Sequence, residues 1–425
     1  MSIFALIDAN NFFATAHAAY DLSLRNKPLV IAGSNDGMIV ARSLEAKSLG
    51  IKMAEPYFKV KHLESTHGLV ARSANYALIT DLSQRVSDVL AELVPRASKY
   101  SIDESFLLYD GLEHQDLAAY SQMIRKTVLQ WTGVKCCVGV ACNRTLAKAA
   151  NNGAKKFPAC NGVVDLYTDP TRRDKLLAIT PVGDIWGVGK ASAGRLNKAG
   201  IITALDLASF GPDKVKKSFG VMLYRTALEL GGEQIFPFEE DAVTNKSIIA
   251  SRSLGRPMQD PETLIASISH HVERAARKLR AQDAVAGSLS VTVQTNMFKA
   301  DGPRYSKTLS RSIAVPTSDF TVLIRLASDL FKEIFRYGYD YTKTGVEINK
   351  IILRNEVEPD LFAAPTGASE KKEQLMETID AINQRYGLGT VTGASQKKGS
   401  RWQPRSEKKT PSFTTEWCDI PVAHA

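Results

Sequence analysis

The sequence predicts an α+β protein with more than one domain. Its 425 residues exceed what a single hydrophobic core usually organises. Strand-like segments alternate with amphipathic helical segments in two separate blocks, one before residue 165 and one after residue 247. Between these blocks, over 166–235, the pattern changes to short helices separated by glycines. We therefore expect two mixed α+β blocks on either side of a helical region.

The first block begins with a predicted strand, SIFALID, whose last residue is Asp8. A helix over about 11–20 follows, because NNFFATAHAAY is rich in alanine and opens with asparagine as an N-cap. A long amphipathic helix is predicted at 75–93, where leucines and valines recur at helical spacing. The remaining predicted elements are strands at PLVIAG, GMIVA, LVARS and CCVGVAC, and helices over 114–131 and from Asn143 to the Lys155–Lys156 pair. Together they predict a sheet with helices on one face.

The middle region contains PVGDIWGVGKASAGRLNKAGI, a pattern typical of two helices joined by a glycine turn. Gly187 and Gly189 allow a backbone to approach phosphate closely, and a helix start at Lys190 favours an anion. A polar linker is predicted at 236–246. The second α+β block, at 247–355, has strands at IIASRSLG, SLSVTVQT, TLSRSIAV and TGVEINKIIL and helices at 261–281 and 318–337.

The residues beyond 356 are polar, and six basic residues but one acid occur in 394–412. Such a composition predicts a flexible tail that extends to residue 425. The net charge of +9 is also unevenly distributed, because residues 246–311 hold eleven Lys and Arg against five acids. This excess favours a surface that follows a polyanion over a merely solvated face.

Composition also excludes some classes of protein. No apolar run approaches the roughly 20 residues of a membrane span, and the N-terminal stretch lacks the basic region of a signal peptide. The five cysteines are odd in number and form no C-x-x-C pair, which favours reduced thiols over disulfides or a metal site. We expect a cytoplasmic protein without membrane partners.

Two adjacent acids, Asp103 and Glu104, lie within the strand-like stretch YSIDESFLLY. The pair is expected at the tip of a hairpin, where the strand that ends at Asp8 could lie beside it. Unpaired buried charges cost several kcal/mol, whereas two Mg²⁺ ions about 4 Å apart would turn three carboxylates into a site for phosphoryl or nucleotidyl transfer. Spacing alone leaves a solvated turn as an equal alternative.

Three motifs in order resemble the palm of the Y-family translesion DNA polymerases. They are Asp8 with NNFFA at 10–14, YSIDESF at 100–106, and VGVA-x-N-x-x-LAK at 138–148. Within that family, IVARS-x-EAK at 39–47, GVVDL at 162–166, DIWGVG at 184–189 and SRS at 251–253 are similar to the UmuC-type catalytic subunits of DNA polymerase V. The resemblance runs from residue 2 to about 355, with a weaker similarity near the C-terminus.

The resemblance implies a right-hand polymerase with a ferredoxin-like palm and small fingers in 1–165, the fingers over about 20–75. A helical thumb with a helix-hairpin-helix would occupy 166–235, a little finger that binds DNA 247–355, and a flexible tail for partner docking 356–425. The implied function is error-prone, template-directed translesion synthesis in the SOS response to DNA damage.

The resemblance also assigns roles at the active site. Asp8 and Asp103 would bridge two Mg²⁺ ions, the main-chain carbonyl of Ala9 would be a further ligand, and Glu104 would serve the metal at the primer terminus. Phe13 matches the steric gate, an aromatic ring that leaves no room for a ribose 2′-hydroxyl. The positions that match contacts to the triphosphate are Lys47, Lys155 and Arg42.

The same resemblance implies partners. Primer–template DNA would contact Gly187, Gly189 and Lys190 in the thumb, and Ser251, Arg252 and Ser253 in the little finger, while deoxynucleoside triphosphates are the substrates. A degenerate sliding-clamp motif keeps Leu361 and Phe362. The stretch PSFTTEWCDIP, with Phe413 and Trp417 as apolar anchors, suggests docking of a UmuD′ dimer or a RecA filament.

Three alternatives stay open from the sequence. The first is a stand-alone, DinB-like lesion-bypass polymerase without these protein partners. The second is a nucleotide cyclase, which can use a palm-like sheet and carboxylate-bound metals but needs neither a helix-hairpin-helix nor a basic second domain. The third is a non-catalytic DNA-binding subunit that has kept the fold.

Overall fold

The computed structural model describes residues 2–238, 245–298, 302–357, 367–395 and 402–422, with the backbone alone for 367–370. The chain divides into two compact units. Unit 1 comprises Met1–Ala32, Ile39–Ala242 and Lys408–Ala425, and unit 2 comprises Gly33–Met38 and Val243–Glu407.

Unit 1 contains the first predicted block and the helical region. Its strands are β1 (Phe4–Ala9), β2 (Leu29–Ala32), β3 (Ile39–Arg42), β4 (Val70–Ser73), β5 (Arg96–Lys99), β6 (Glu104–Leu108), β7 (Cys136–Ala141) and β8 (Val163–Asp165). Its helices are α1 (Phe12–Tyr20), α2 (Leu44–Ser48), α3 (Tyr57–Val60), α4 (Leu63–His67), α5 (Tyr76–Leu93), α6 (Leu117–Thr132), α7 (Arg144–Lys156), α8 (Pro170–Ile179), α9 (Lys190–Lys198), α10 (Ala204–Ser209), α11 (Pro212–Phe219) and α12 (Val221–Leu230).

The main sheet of unit 1 has five strands in the order β5-β6-β1-β7-β8. Strand β1 is antiparallel to both β6 and β7, and all six of its residues are buried, as expected for a central strand. Ile3, Ala5 and Ile7 pack with α5 and α6, whereas Phe4 and Leu6 pack with α7 and the helices that follow it. The sequence predicted helices on one face of this sheet. Helices cover both faces instead, because β1 presents apolar side chains to both.

A smaller sheet of three strands, in the order β3-β2-β4, corresponds to the predicted fingers. Strand β2 pairs antiparallel with β3 and parallel with β4. Its core includes Val30, Ile39, Ile51 and Tyr57. Because β2 lies between the other two strands, β4 forms one edge of this sheet.

Helices α8 to α12 form the predicted thumb region. Its buried apolar residues include Ile185, Val188, Leu196 and Ile201. The sequence predicted a helix before the glycine turn, but a short 3₁₀ turn at Val182–Asp184 stands there, and the preceding α-helix is α8. Gly187 has a φ of 86°, in the left-handed region that glycine tolerates without strain.

Unit 2 contains a sheet of four strands in the order β11-β10-β12-β9, antiparallel throughout. Its strands are β9 (Ile248–Met258), β10 (Ala284–Thr295), β11 (Ser306–Thr317) and β12 (Tyr341–Leu353), and its helices are α13 (Pro261–Arg280), α14 (Phe320–Ile334) and α15 (Gly367–Tyr386). Helices α13 and α14 pack on the sheet through one apolar core. The predicted linker at 236–246 lies partly outside the described residues.

The region predicted to be a flexible tail differs from that prediction. Helix α15 and Trp402 belong to the core of unit 2, with Met376 and Trp402 only 3% and 5% exposed. Arg280 of α13 makes two hydrogen bonds to Asp380, at 2.6 and 2.8 Å. The composition suggested disorder because it is polar, but a few buried anchors are enough to fix these segments.

No helix in the described part of the chain is both long and apolar enough to cross a membrane.

Candidate active site

The fold brings the three predicted acids together where β1 ends and β6 begins, in the main sheet of unit 1. Asp8, next to the end of β1, is the register partner of Glu104, the first residue of β6. The amide of Ala9 donates a hydrogen bond to the carbonyl of Asp103 at 2.9 Å. The hydroxyl of Ser101 accepts hydrogen bonds from the amides of Asp103 and Glu104, at 3.3 and 3.1 Å, and so closes the turn between β5 and β6.

Two lysines of α7 neutralise two of these acids. Lys155 Nζ lies 2.5 Å from Asp8 Oδ2, and Lys148 Nζ lies 2.6 Å from Glu104 Oε2. The lysines are seven positions apart, which is two helical turns, so they share one face of α7. Asp8 and Glu104 are therefore each paired with a lysine of the same helix.

Burial raises the pKa of Asp8 to about 7, against the opposing charge of Lys155 and with a further contribution from a hydrogen bond to Glu104. Burial also opposes the ionisation of Glu104, but the hydrogen bond with Asp8 and the charge of Lys148 outweigh it and lower the pKa of Glu104. The carboxyl group of Asp8 therefore binds a proton more readily than that of Glu104.

The three acids offer oxygen atoms, which are the type of ligand that a hard divalent cation prefers. Within the part of the chain that the structure describes, no three His, Cys, Asp or Glu side chains lie close enough together to hold a metal ion. The carboxylate of Asp103 instead accepts a hydrogen bond from Ser101 Oγ at 2.6 Å. A divalent cation would nevertheless relieve the repulsion between the neighbouring carboxylates of Asp8 and Glu104, and oxygen is the ligand atom that Mg²⁺ prefers.

The three residues predicted to bind the triphosphate are Lys47, Lys155 and Arg42, and they influence one another electrostatically around Lys47. Burial lowers the pKa of Lys47, and the nearby positive charges of Arg42 and Lys155 lower it further, while Asp8 opposes them. Lys47 donates a hydrogen bond to Asn11 Oδ1, and Arg42 donates one to the carbonyl of Ile51 at 2.7 Å. Lys155 of α7 thus contacts Asp8 directly, and Lys47 of α2 lies within electrostatic range of Asp8, Lys155 and Arg42.

The predicted steric gate lies at the start of α1. Phe12 is 3% exposed and belongs to the core, whereas Phe13 is half-buried. The ring of Phe13 meets Tyr76 edge-on, with centroids 6.0 Å apart and an interplanar angle of 87°. Tyr76 opens α5 and is 55% exposed. Sequence reasoning missed Tyr76, although its place after the N-cap Asn75 was a usable signal.

Sequence reasoning also gave no role to Lys148 and did not find the aromatic cluster around it. Lys148 Nζ lies 4.4 Å from the ring centroid of Tyr100 and 5.5 Å from that of Trp186. The indole of Trp186 donates a hydrogen bond to the hydroxyl of Tyr100 at 3.1 Å. Arg144 lies over the ring of Phe106, at 4.6 Å. Helix α7 is thus tied both to the acids and to the residue that precedes the glycine turn.

The predicted DNA-binding residues are on the surface of their units. Gly187, Gly189 and Lys190 are exposed at the start of α9. Ser251, Arg252 and Ser253 are exposed on β9, an edge strand of the sheet in unit 2. The clamp-motif residues Leu361 and Phe362 lie outside the described residues.

Comparison with known proteins identifies the family. Residues 7–152 match the impB/mucB/samB family, residues 245–361 match the C-terminal domain of that family, and residues 373–423 match a domain of unknown function. The chain is 38% identical over 422 residues to Protein UmuC of Salmonella typhimurium strain LT2, covering 98% of this chain and 99% of that protein. The chain belongs to the impB/mucB/samB family.

Other relatives of this family member extend the comparison. Protein ImpB of Salmonella typhimurium is 37% identical over 425 residues, 99% of either chain. DNA polymerase IV of Oceanobacillus iheyensis is 27% identical and covers 97% of this chain and 96% of its own. Among solved structures, a Y-family DNA polymerase chimera aligns with a TM-score of 0.64 at 20% identity, over 83% of this chain and 99% of its own. The predicted family and the predicted right-hand polymerase fold are confirmed, and the relatives agree with the predicted DNA polymerase activity.

Proposed function

We propose that this member of the impB/mucB/samB family is an error-prone, template-directed DNA polymerase that performs translesion synthesis in the SOS response. The observation that carries the proposal is the pairing of the buried Asp8 with the half-buried Glu104, where Lys155 contacts Asp8 and Lys148 contacts Glu104. An electrostatic arrangement of this kind suits phosphoryl and nucleotidyl transfer, in which positioning and charge neutralisation supply most of the catalysis.

Asp8, Asp103, Glu104 and the carbonyl of Ala9 would hold two Mg²⁺ ions, which would supply charge neutralisation and a more acidic primer 3′-hydroxyl. The other residues bind and orient the nucleotide. Lys47, Lys155 and Arg42 would neutralise the triphosphate, because a lysine ammonium acts on phosphate as a compact point charge. Phe13, held by Tyr76, would exclude a 2′-hydroxyl.

The domain assignment supports the same proposal. Palm and fingers would occupy 1–165, the thumb 166–235, the linker 236–246 and the little finger 247–355. Gly187, Gly189 and Lys190 would contact the DNA backbone through main-chain amides, and Ser251, Arg252 and Ser253 would lie near the template. A UmuD′ dimer, a RecA filament and, through Leu361 and Phe362, a sliding clamp are the proposed protein partners, and the cytoplasm is the proposed compartment.

Primer extension by acid-to-amide variants tests the catalytic assignment. Asp103→Asn and Glu104→Gln keep side-chain size but remove charge, so we expect nucleotide incorporation to fall by at least about 100-fold. Glu92→Gln is the matched control, because Glu92 is an exposed acid on α5. Normal extension by either active-site variant would rule out the assigned roles.

Ribonucleotide incorporation tests the gate separately. Phe13→Ala removes the ring that would meet a 2′-hydroxyl, and the variant should accept ribonucleotides more readily than the parent protein. Phe58→Ala is the control, because Phe58 lies in the fingers but is 74% exposed. Unchanged sugar discrimination in Phe13→Ala would remove Phe13 from the gate.

Two further assays separate the alternatives. Product formed from nucleoside triphosphates without primer or template would indicate a cyclase, and no product under either condition would indicate a non-catalytic subunit. Lesion bypass measured with and without UmuD′ and activated RecA separates a UmuC-type subunit from a stand-alone, DinB-like enzyme. We expect bypass to depend on both proteins.

A further inference from the structure

A segment near the C-terminus, residues 408–413, adds to the edge of the three-stranded sheet in unit 1. Ser73, at the end of β4, donates its amide hydrogen bond to the carbonyl of Lys408 at 3.0 Å. The amide of Lys408 donates to the hydroxyl of Ser73, also at 3.0 Å. Ser73 and Lys409 form a parallel β-bridge. We call residues 408–413 the C-terminal brace.

The brace is fixed by a buried amide next to the gate. Asn75 is fully buried, and its Nδ2 donates to the carbonyl and hydroxyl of Thr410, at 3.4 and 3.2 Å, and to the carbonyl of Pro411 at 3.1 Å. The Oδ1 of Asn75 caps α5 by accepting from the amide of Leu78. Thr410 is 5% exposed, and its hydroxyl lies 3.3 Å from Nδ1 of the fully buried His17.

Two further contacts hold the ends of the brace. Lys408 Nζ lies 2.9 Å from Glu64 Oε1. Phe413 stacks on Tyr20, with ring centroids 5.9 Å apart and an interplanar angle of 11°. Trp417, only four residues beyond Phe413, is 91% exposed.

These contacts fall on the two helices that carry the aromatic wall of the nucleotide pocket. His17 and Tyr20 belong to α1, which also carries Phe13, and Asn75 directly precedes Tyr76 at the start of α5. The edge-on contact between Phe13 and Tyr76 depends on the relative position of these two helix starts. The brace bridges them, because Thr410 contacts both Asn75 and His17.

We propose that the C-terminal brace is a positioning element of the nucleotide pocket, which holds Phe13 against Tyr76 and thereby tightens selection for deoxynucleotides. This inference rests on the proposed polymerase function and gives a role to part of the stretch that matches a domain of unknown function. Thr410 and Phe413 are its positioning residues, and neither contacts the substrate. The hydrogen bonds from the buried amide of Asn75 to the brace fix the position of the start of α5. A buried amide that loses acceptors is costly, so its surroundings would shift to satisfy it.

Single-nucleotide incorporation by the full-length protein tests the brace. Thr410→Val keeps shape but removes the hydroxyl, and Phe413→Ala removes the stacking ring. Each should raise the KM for a deoxynucleotide by about fivefold, the equilibrium effect of one lost buried hydrogen bond, and should lower discrimination against ribonucleotides by a similar factor. The kcat should change by less than about twofold, since the acids on the sheet edge are not touched. Thr415→Val, the same change at an exposed threonine two residues beyond Phe413, should match the parent protein.

Hydrogen exchange of the amides in 75–80 gives an independent readout. Faster exchange in Thr410→Val and Phe413→Ala, together with the shift in KM, supports the brace. Unchanged KM and sugar discrimination in both variants, or a lower KM than the parent shows, would overturn it. Because each comparison is made with a parent protein that extends primers, failure of the brace is distinguishable from failure of the polymerase assignment. Phe413 is only half-buried, so its variant keeps the test available if Thr410→Val does not fold.

Discussion

The carboxylate of Glu229 offers a sharp test of how helix α7 is anchored. Glu229 is fully buried near the end of α12. Its Oε1 accepts hydrogen bonds from the amides of Ile235 and Phe236, at 3.2 and 2.8 Å, and its Oε2 accepts one from Thr145 at 3.0 Å. Thr145 is in the first turn of α7, where a negative charge also favours the helix dipole.

Glu229→Ala removes the shared acceptor of these three amides. Each buried donor left without a partner costs about 1–3 kcal/mol. The three losses are not independent, because all end on one side chain. Removal of one partner from a buried charged network typically costs about 3–5 kcal/mol, so we expect the free energy of unfolding of unit 1 to fall by that amount. Glu229→Gln keeps the volume but places an amide donor against another donor, and should cost about 1–3 kcal/mol.

The measurement is urea denaturation combined with hydrogen exchange of the amides in α7. Both Glu229 variants should speed exchange in the first turn of α7, and Glu229→Ala should also slow nucleotide incorporation, because α7 carries the lysines that face the acids. Glu233→Ala is the matched control, since its side chain is exposed, and it should change stability by less than about 0.5 kcal/mol. A loss below about 1 kcal/mol in Glu229→Ala would refute this account of the anchor.

Three more perturbations probe the two units. Burial lowers the pKa of His17 to about 4 and that of His271 to about 3, from an ordinary 6.5, so the unfolded chain takes up protons that the folded chain does not. The histidine contribution to stability is present above pH 6.5 and is lost as the pH falls towards 4, by about 2 kcal/mol per histidine at pH 5. Because the raised pKa of Asp8 acts in the opposite direction, urea titrations from pH 7.5 to 5 should show this loss as the difference between the parent protein and His17→Gln. In Gly139→Ala, the added Cβ would lie 2.2 Å from the amide nitrogen of Asn151 in α7, and thermal unfolding should reveal a loss of about 3 kcal/mol or more. Trp402→Ala should destabilise unit 2 by about 3–5 kcal/mol in the same assay, and a neutral effect would contradict its place in the core.

Local patterns predicted the elements that carry the site. The helix predicted at 75–93 is observed at Tyr76–Leu93, and the one predicted at 261–281 at Pro261–Arg280. The strand that ends near Asp8 and the hairpin tip at Asp103 and Glu104 were also correct. These elements were predictable because hydrophobic periodicity and capping residues depend only on residues that are close together in the sequence.

Contacts between distant parts of the chain were not predictable in this way. Nothing in the sequence around Glu229 indicates that it is buried, because the neighbouring residues of a helix do not distinguish a buried acid from an exposed one. Asn75 and Thr410 are 335 residues apart in sequence, and only the fold reveals that they are neighbours. The region beyond residue 356 was predicted to be flexible because its composition is polar. Composition does not reveal that a few apolar residues, such as Trp402, are buried in the core of unit 2.

The two lysines that neutralise the acids differ in what else surrounds them. Lys155 is 34% exposed and lies in the same cluster of positive charges as Lys47. A triphosphate bound there would give Lys155 an alternative anion when a divalent cation takes over the charge of Asp8. Lys148 is only 16% exposed and rests against the rings of Tyr100 and Trp186. Because those aromatic faces stabilise a cation whether or not Glu104 remains its partner, Lys148 can keep its place through the same exchange. In the proposed polymerase, the two lysines on one face of α7 would therefore act differently. Lys155 would move from Asp8 to the nucleotide, and Lys148 would stay in place beside Glu104.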